Sequence, residues 1–142
     1  MMVKEYLPSR HLVARLDKGL DLVEQITDLA SRKRIELATF TVIGALRQAE
    51  LSYYDQERKE YHNFGVDGPM ELVSCTGNVS IRDSRTFVHA HATLSDFRGH
   101  VVGGHLIKAQ VFAAELHLIE LSGMKLIREF DAETGLYLWR LP

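Results

Sequence analysis

The chain has 142 residues and a formal net charge of −2, with 46% hydrophobic and 25% charged residues. This balance fits one compact domain and excludes a disordered chain, which would lack so much apolar material. The charge argues against a nucleic-acid module, which normally carries a basic excess. The single cysteine, Cys75, excludes an intrachain disulfide and favours a cytoplasmic location. We find neither a secretory signal nor an apolar stretch of membrane-spanning length.

The first elements of the chain are predicted to be a strand and an amphipathic helix. Residues 10–16 have the composition of a strand. In residues 20–33, apolar side chains recur at helical spacing and form one stripe for burial. The basic residues 32–34 are interpreted as the C-terminus of this helix, where positive charge suits the macrodipole, rather than as a binding patch.

The rest of the chain is predicted to be mostly strand. Segments with strand composition are 37–54, 58–64, 70–81, 86–95, 104–121 and 124–130. Residues 65–69 and 82–85 have the composition of turns, and Cys75 is interpreted as a small buried hydrophobe. This order predicts an α+β fold in a single domain spanning 1–142, with a mostly antiparallel β-sheet and one major flanking helix.

The segment HAHATLSDFRGHVVGGHL, residues 89–106, has the strongest chemical signal. On a strand, His89 and His91 point to the same face with Cα atoms about 6.5–7 Å apart, so both rings can bind one ion. His105 follows a glycine pair on the strand predicted to lie next to them. Three histidines with an open position are the usual form of a catalytic zinc site. The pattern predicts a site for zinc or another divalent transition metal.

Other interpretations of the histidines stay open at this point. The three residues could instead be partly exposed polar groups, or a hydrogen-bonded cluster at a subunit contact. His100 lies in the intervening turn, where we expect exposure rather than metal binding. His117, on the following strand, is expected to have a structural role.

Glu115 is the candidate catalytic carboxylate. It lies among apolar residues of the strand 104–121, and a buried carboxylate needs a partner. It could accept a hydrogen bond from a metal-bound imidazole or act as a general base on metal-bound water. The alternative is an ion pair with Lys108, Arg82 or Arg98.

Several motifs occur together in the order of a known family. They are H-x-H-x-x-L-S-D, V-x-G-G-H-L, V-F-x-x-x-E-L-x-L, RLDKGLDLVEQI (15–26) and MELVSCTGNVS (70–80). With them the sequence resembles the PPC domain, named for its presence in plants and prokaryotes. The resemblance covers roughly residues 8–122 and leaves 123–142 as a C-terminal extension. It implies a β-rich sheet with a flanking helix, assembled as a homotrimer.

The resemblance also implies two kinds of function. Stand-alone prokaryotic members are often called predicted DNA-binding proteins, but the R-G-R-P AT-hook of plant members does not occur here. The family is structurally similar to acetolactate decarboxylase, which holds zinc with three histidines, two of them in an H-x-H pair. By motif, only His89, His91 and His105 correspond to those ligands.

Three hypotheses follow from the residues and the resemblance. The first is a homotrimeric PPC-domain protein that binds a metal and has a regulatory or binding role. The second is a zinc-dependent lyase or hydrolase acting on a small carbonyl or carboxylate substrate. The third is direct DNA binding, against which the net charge weighs.

Apolar residues on both faces of several strands predict a closed homo-oligomer. The tail adds Leu136, Tyr137, Leu138, Trp139 and Leu141 to this apolar surface. It could dock on its own sheet or on a neighbouring subunit.

Overall fold

The computed structural model describes residues 3–140. Its elements are β1 (Leu7–Leu16), α1 (Leu22–Lys33), β2 (Ala38–Asp55), β3 (Glu60–Arg82), β4 (Arg85–Ser95), β5 (Val101–Ser122), β6 (Ile127–Asp131) and β7 (Leu136–Arg140). The predicted α+β fold, a mostly antiparallel sheet with one flanking helix in a single domain, is confirmed.

Helix α1 begins two residues after the start of the predicted segment 20–33 and ends at Lys33, as predicted. The Asp21 carboxylate accepts a hydrogen bond of 2.9 Å from the backbone N–H of Glu24, which satisfies a free donor of the first turn. The helix ends at Lys33, and Arg34 follows with a left-handed φ of 56°. The basic residues 32–34 therefore close the helix, as predicted. No helix within residues 3–140 is long and apolar enough to cross a bilayer.

The middle of the sheet closes on itself. Strand β5 pairs with β2, β2 with β3, β3 with β4, and β4 again with β5. These four strands form a closed ring, and β1 pairs with β5 at its side. The ring and α1 enclose one apolar core, in which Phe40, Leu116 and Ile26 are buried. Cys75 is fully buried in this core, as predicted.

The segment 65–69 is not the turn that its composition predicted. Strand β3 runs through it in one long ladder with β2, so the two predicted strands 58–64 and 70–81 are one. Gly68, with a φ of 95°, and Pro69 together oppose the single residue Arg47. The glycine and proline thus form a β-bulge, because pairing with β2 keeps the chain extended on both sides.

The predicted turn at 82–85 is confirmed. Asp83 and Ser84 have left-handed φ values of 49° and 60° and connect β3 to β4. This tight connection places β4 directly beside β3 along most of its length.

The C-terminal hairpin, residues 127–140, docks on the sheet of its own chain. Strand β6 joins β3 through one parallel pair, Ile81 with Ile127. The Arg82 guanidinium lies 3.5 Å from the centroid of the Tyr137 ring. The tail therefore covers part of the outer face of β3 and β4. Leu141 of the predicted apolar tail lies outside the described residues.

Gly77 permits a close approach of β2, β3 and β4 behind the histidines. A Cβ atom there would lie 2.3 Å from the carbonyl oxygen of His89 and 2.4 Å from the Phe40 ring. Both neighbours are fixed, one in the β3–β4 ladder and the other in the core.

We expect Gly77→Ala to lower the free energy of unfolding by about 1–3 kcal/mol, because the methyl group overpacks this contact. Gly65→Ala in the same strand is the control, since its Cβ would meet no atom within 4 Å. It should change stability by less than about 0.5 kcal/mol. Urea denaturation followed by circular dichroism measures both variants. Equal free energies of unfolding for the two variants would show that the neighbouring strands move away from residue 77 without loss of stability.

Candidate metal centre

Strand pairing brings three histidines together on the outer face of the sheet. His89 and His91 alternate on β4 with Ala90, which is buried in the core. In the ladder of β4 with β5, His91 lies directly opposite His105. One ring nitrogen from each of the three histidines lies within 4.8 Å of the others. The structure thus assembles the three residues that the sequence pattern singled out.

The three rings pack closely against one another. Their centroids are 5.2 Å apart for His89 and His91, 5.0 Å for His89 and His105, and 5.5 Å for His91 and His105. The Tyr61 ring lies against the other side of His105, with its centroid at 5.4 Å. The cluster is therefore held by its neighbours on β3, β4 and β5.

The glycine pair before His105 lets β5 fit between β4 and β2. A Cβ atom on Gly103 would lie 2.9 Å from the carbonyl oxygen of Ala92, and one on Gly104 would lie 2.8 Å from that of Ser52. Side chains at these positions would push the strands apart. The expected close backbone approach is confirmed, and it brings His105 within reach of β4.

Burial favours the uncharged form of two of the histidines, His89 and His105. It lowers the pKa of His89 to about 4, with further contributions from the positive charge of Arg128 and from the other two histidines. Burial also lowers the pKa of His105, helped by His91 and Arg128. Neutral imidazole is the form that binds a metal ion, so these histidines present ligands without first losing a proton.

The residues fit a divalent transition metal ion. The Nδ1 atom of His105 is buried and has no hydrogen-bond partner, which is costly unless something other than a protein group satisfies the ring. Three imidazoles are a donor set that zinc and its neighbours in the first transition row accept. His89, His91 and His105 would hold the ion.

Glu115 lies far from this cluster. It is ten residues beyond His105 on the same strand, roughly 30 Å along a backbone that rises about 3.3 Å per residue. Its cross-strand partners are Arg15 on β1 and Ile43 on β2. The structure therefore does not bring this carboxylate to the histidines, and the geometry does not support it as their general base or hydrogen-bond acceptor.

Glu115 is also exposed rather than buried among apolar residues. Strict alternation along β5 would place Val111 and Glu115 on one face, but the pairing with β2 shifts by one residue at Phe112. Val111 consequently faces the core, whereas Glu115 faces outward. Of its suggested ion-pair partners, Lys108 instead pairs with Glu50 at 3.2 Å.

The remaining candidate histidines lie outside the cluster. His100 is exposed, as expected, and its Nδ1 atom lies 3.0 Å from the Asp96 carboxylate. His117 is exposed on β5, with its Nδ1 atom 3.2 Å from Nε2 of His11. Neither belongs to the group of residues placed to bind an ion with His89.

Sequence reasoning missed two neighbours of the cluster. Arg128, on β6, places its Nη2 atom 3.4 Å from Nδ1 of His89 and is only 8% exposed. Tyr61, on β3, packs against His105. Arg128 follows His89 by 39 residues and lies in the C-terminal extension, so no local pattern connects the two.

The fold and the site define a β-sheet protein with a candidate metal centre on the outer face of its sheet. Comparison with known sequences supplies the family. Residues 3–122 match the Plants and Prokaryotes Conserved domain, so the chain belongs to this family, as its motifs predicted. The fold is similar to that of a metal-containing protein from Archaeoglobus fulgidus, at 45% identity and a TM-score of 0.96, over 99% of this chain and 100% of that one. A plant- and prokaryote-conserved protein from Pyrococcus horikoshii is 37% identical, with a TM-score of 0.93 over 100% and 99% of the two chains.

More distant similarities show the fold alone. A protein from Bacteroides thetaiotaomicron, named as a proposed DNA-binding protein, is 22% identical with a TM-score of 0.85 over 95% and 96% of the chains. The α-acetolactate decarboxylase of Bacillus subtilis is 12% identical with a TM-score of 0.57 over 87% of this chain and 57% of that one, which confirms the expected similarity of fold.

A curated relative, the bifunctional protein GlmU of a Synechococcus species, is 27% identical over 124 residues. The match covers 85% of this chain but only 18% of that relative. This chain therefore corresponds to a small part of that protein's length.

We expect Glu115→Gln to leave zinc affinity unchanged, because the carboxylate lies on the other half of β5 from the histidines. Calorimetric titration of the metal-free protein with zinc measures this, with His91→Ala as the variant that should lose binding. Loss of a residue that hydrogen-bonds to a metal ligand typically weakens metal affinity about 10–100-fold. A weakening of that size in Glu115→Gln would place the carboxylate at the site.

Proposed function

We propose that this PPC-domain protein binds one divalent transition metal ion, zinc foremost, through His89, His91 and His105. The observation that supports the proposal is the convergence of three ligand nitrogen atoms within 4.8 Å on paired strands. Structural zinc sites normally have four protein ligands, whereas three ligands leave a position open for water or another molecule. The metal-containing protein of Archaeoglobus fulgidus, similar over its whole length, adds support.

The metal would supply Lewis acidity, which polarises an oxygen atom or lowers the pKa of a bound water molecule. The residues of this chain would bind the metal ion and hold its ligands in position. The ladder of β4 with β5 fixes the position of the three imidazoles. Tyr61 presents a phenol beside His105, and burial raises its pKa, so this phenol holds its proton at neutral pH.

A zinc-dependent enzyme acting on a small carbonyl or carboxylate substrate is the second candidate. The three-ligand geometry with a neighbouring phenol favours it, because such a centre combines a Lewis acid with a proton donor. Turnover of a small carbonyl compound by metal-loaded protein, abolished in Tyr61→Phe with metal content intact, is the test that separates this enzyme from a binding protein.

Direct DNA binding has less support. Names of distant relatives suggest it, but this chain has a net charge of −2 and its basic residues 32–34 close a helix. Generic duplex binding should be no tighter than about 10⁻⁴–10⁻⁶ M at physiological salt. Nanomolar binding in a fluorescence-anisotropy salt titration would restore this function.

We expect the single variants His89→Ala, His91→Ala and His105→Ala each to weaken zinc affinity by at least about tenfold, because each removes a direct ligand. Elemental analysis and zinc titration of protein purified without a histidine tag measure the effect. His100→Ala is the matched control, since His100 is exposed and outside the cluster. Full metal content in all three variants would place the metal elsewhere.

We also propose a homotrimer. Strands β1, β2 and β3 expose Val13, Ile43 and Val73, which are 66%, 57% and 52% accessible on the outer face of the sheet. Apolar residues that share a face in this way are typical of contacts with another chain. The number three comes from the family resemblance.

A cytoplasmic location likewise stays a prediction from the single cysteine.

Light scattering on the purified protein should give roughly three times the chain mass of 16.1 kDa. Ile43→Lys, which places a charge on the exposed apolar face, should shift the assembly toward smaller species. A mass near that of one chain, independent of concentration, would contradict the trimer.

A further inference from the structure

Arg128 is a buried cation without a carboxylate partner among residues 3–140. It is 8% exposed. Its guanidinium donates to Ser80 Oγ at 2.9 Å, to the Tyr137 carbonyl oxygen at 2.9 Å and to Asn78 Oδ1 at 3.0 Å. All three acceptors are uncharged. Burial of a charge without a countercharge is costly, so stability alone does not account for this residue.

A proposed metal ligand and a second arginine lie close to Arg128. Its Nη2 atom lies 3.4 Å from His89, within the proposed ligand set. The guanidinium groups of Arg82 and Arg128 both lie against the Phe87 ring, at 5.5 and 5.3 Å from its centroid. Among residues 3–140, carboxylates pair with His62 and His100, but none pairs with His89, His91 or His105. A divalent ion held by neutral imidazoles would add two further positive charges.

A cleft of about 620 Å³ opens beside His89 and His91. Its walls are mostly apolar and include Leu37, Leu121, Leu126 and Trp139. Tyr6 also lines the cleft, and its hydroxyl group is buried without a hydrogen-bond partner. Arg128 lies behind the wall of the cleft, where it contacts the lining residues Asn78, His89 and Trp139. Lys4 also lines the cleft and adds a second positive charge. The site therefore combines positive charge that no carboxylate pairs with, an apolar space and one unused polar group.

We infer that the C-terminal hairpin makes this metal centre a receptor for small organic carboxylates, in which Arg128 selects the negative charge and the cleft holds the apolar body. The inference rests on the proposed metal site. A carboxylate would supply the countercharge that both the metal and the buried guanidinium lack. The apolar walls favour an organic anion over a fully hydrated inorganic one. Tyr6 offers a hydrogen bond to a second polar group of such a ligand.

Cobalt-loaded protein provides the test, because the visible spectrum of cobalt(II) reports a change at its coordination sphere. We expect isobutyrate to give a saturable spectral change and isobutyramide, its uncharged counterpart of similar shape, to give none. Arg128→Met should weaken isobutyrate binding by at least about tenfold while one cobalt ion per chain is retained, since a charge-assisted hydrogen bond is lost. Arg140→Met, in the same hairpin but 70% exposed, should bind isobutyrate normally.

The outcomes separate this inference from the metal site itself. Failure of the wild-type protein to bind cobalt would contradict the proposed function. Cobalt binding with equal responses to isobutyrate and isobutyramide, or with unchanged isobutyrate affinity in Arg128→Met, would overturn the inference alone. Inorganic phosphate binding as tightly as isobutyrate would overturn the choice of an organic anion.

A second variant covers the case in which Arg128→Met does not fold. Arg128→Lys keeps the charge but loses the planar fork, so it should weaken isobutyrate binding while still preferring it to isobutyramide. Unchanged affinity in this variant, with cobalt bound, would contradict a direct role of the guanidinium.

Discussion

The pairing of β4 with β5, from His91 opposite His105 to Ser95 opposite Val101, is the interaction on which the rest of the structure depends. It closes the ring of strands around the core, and the same pairing brings the third histidine to the other two. The approach requires Gly103 and Gly104, since a side chain at either position would meet a carbonyl oxygen of the neighbouring strand. Closure of the core and assembly of the candidate site are therefore one structural event.

The orientation of β4 determines what kind of site results. Ala90 and the other inward-facing residues fill the core, so His89 and His91 face outward on a rigid ladder. A cluster on the outside of a sheet would be open to water on every side. The C-terminal hairpin covers part of that face and buries Arg128 there. The extension beyond the family match thus forms a wall of the site.

The positive charge of the site connects the proposed metal centre with the proposed binding of an organic carboxylate. Imidazoles kept neutral by burial suit a metal ion, but they do nothing to offset its charge. Many metal sites include a carboxylate for that purpose. Here the neighbouring ionised group is the Arg128 guanidinium. A site of this composition is suited to an anion that comes from solution.

The sequence by itself determined the helix with its basic C-terminal residues 32–34, the outward alternation of His89 and His91, and the return of His105 after two glycines. These features depend on local periodicity and on backbone sterics, which a sequence displays directly. Only the tertiary structure decided that 65–69 is a bulge, that Glu115 faces solvent far from the histidines, and that Arg128 lies beside them. Bulges depend on which strand lies opposite and in what register. The contact of Arg128 with His89 joins segments 39 residues apart, and their distance in space is set by how the hairpin docks rather than by any pattern within either segment.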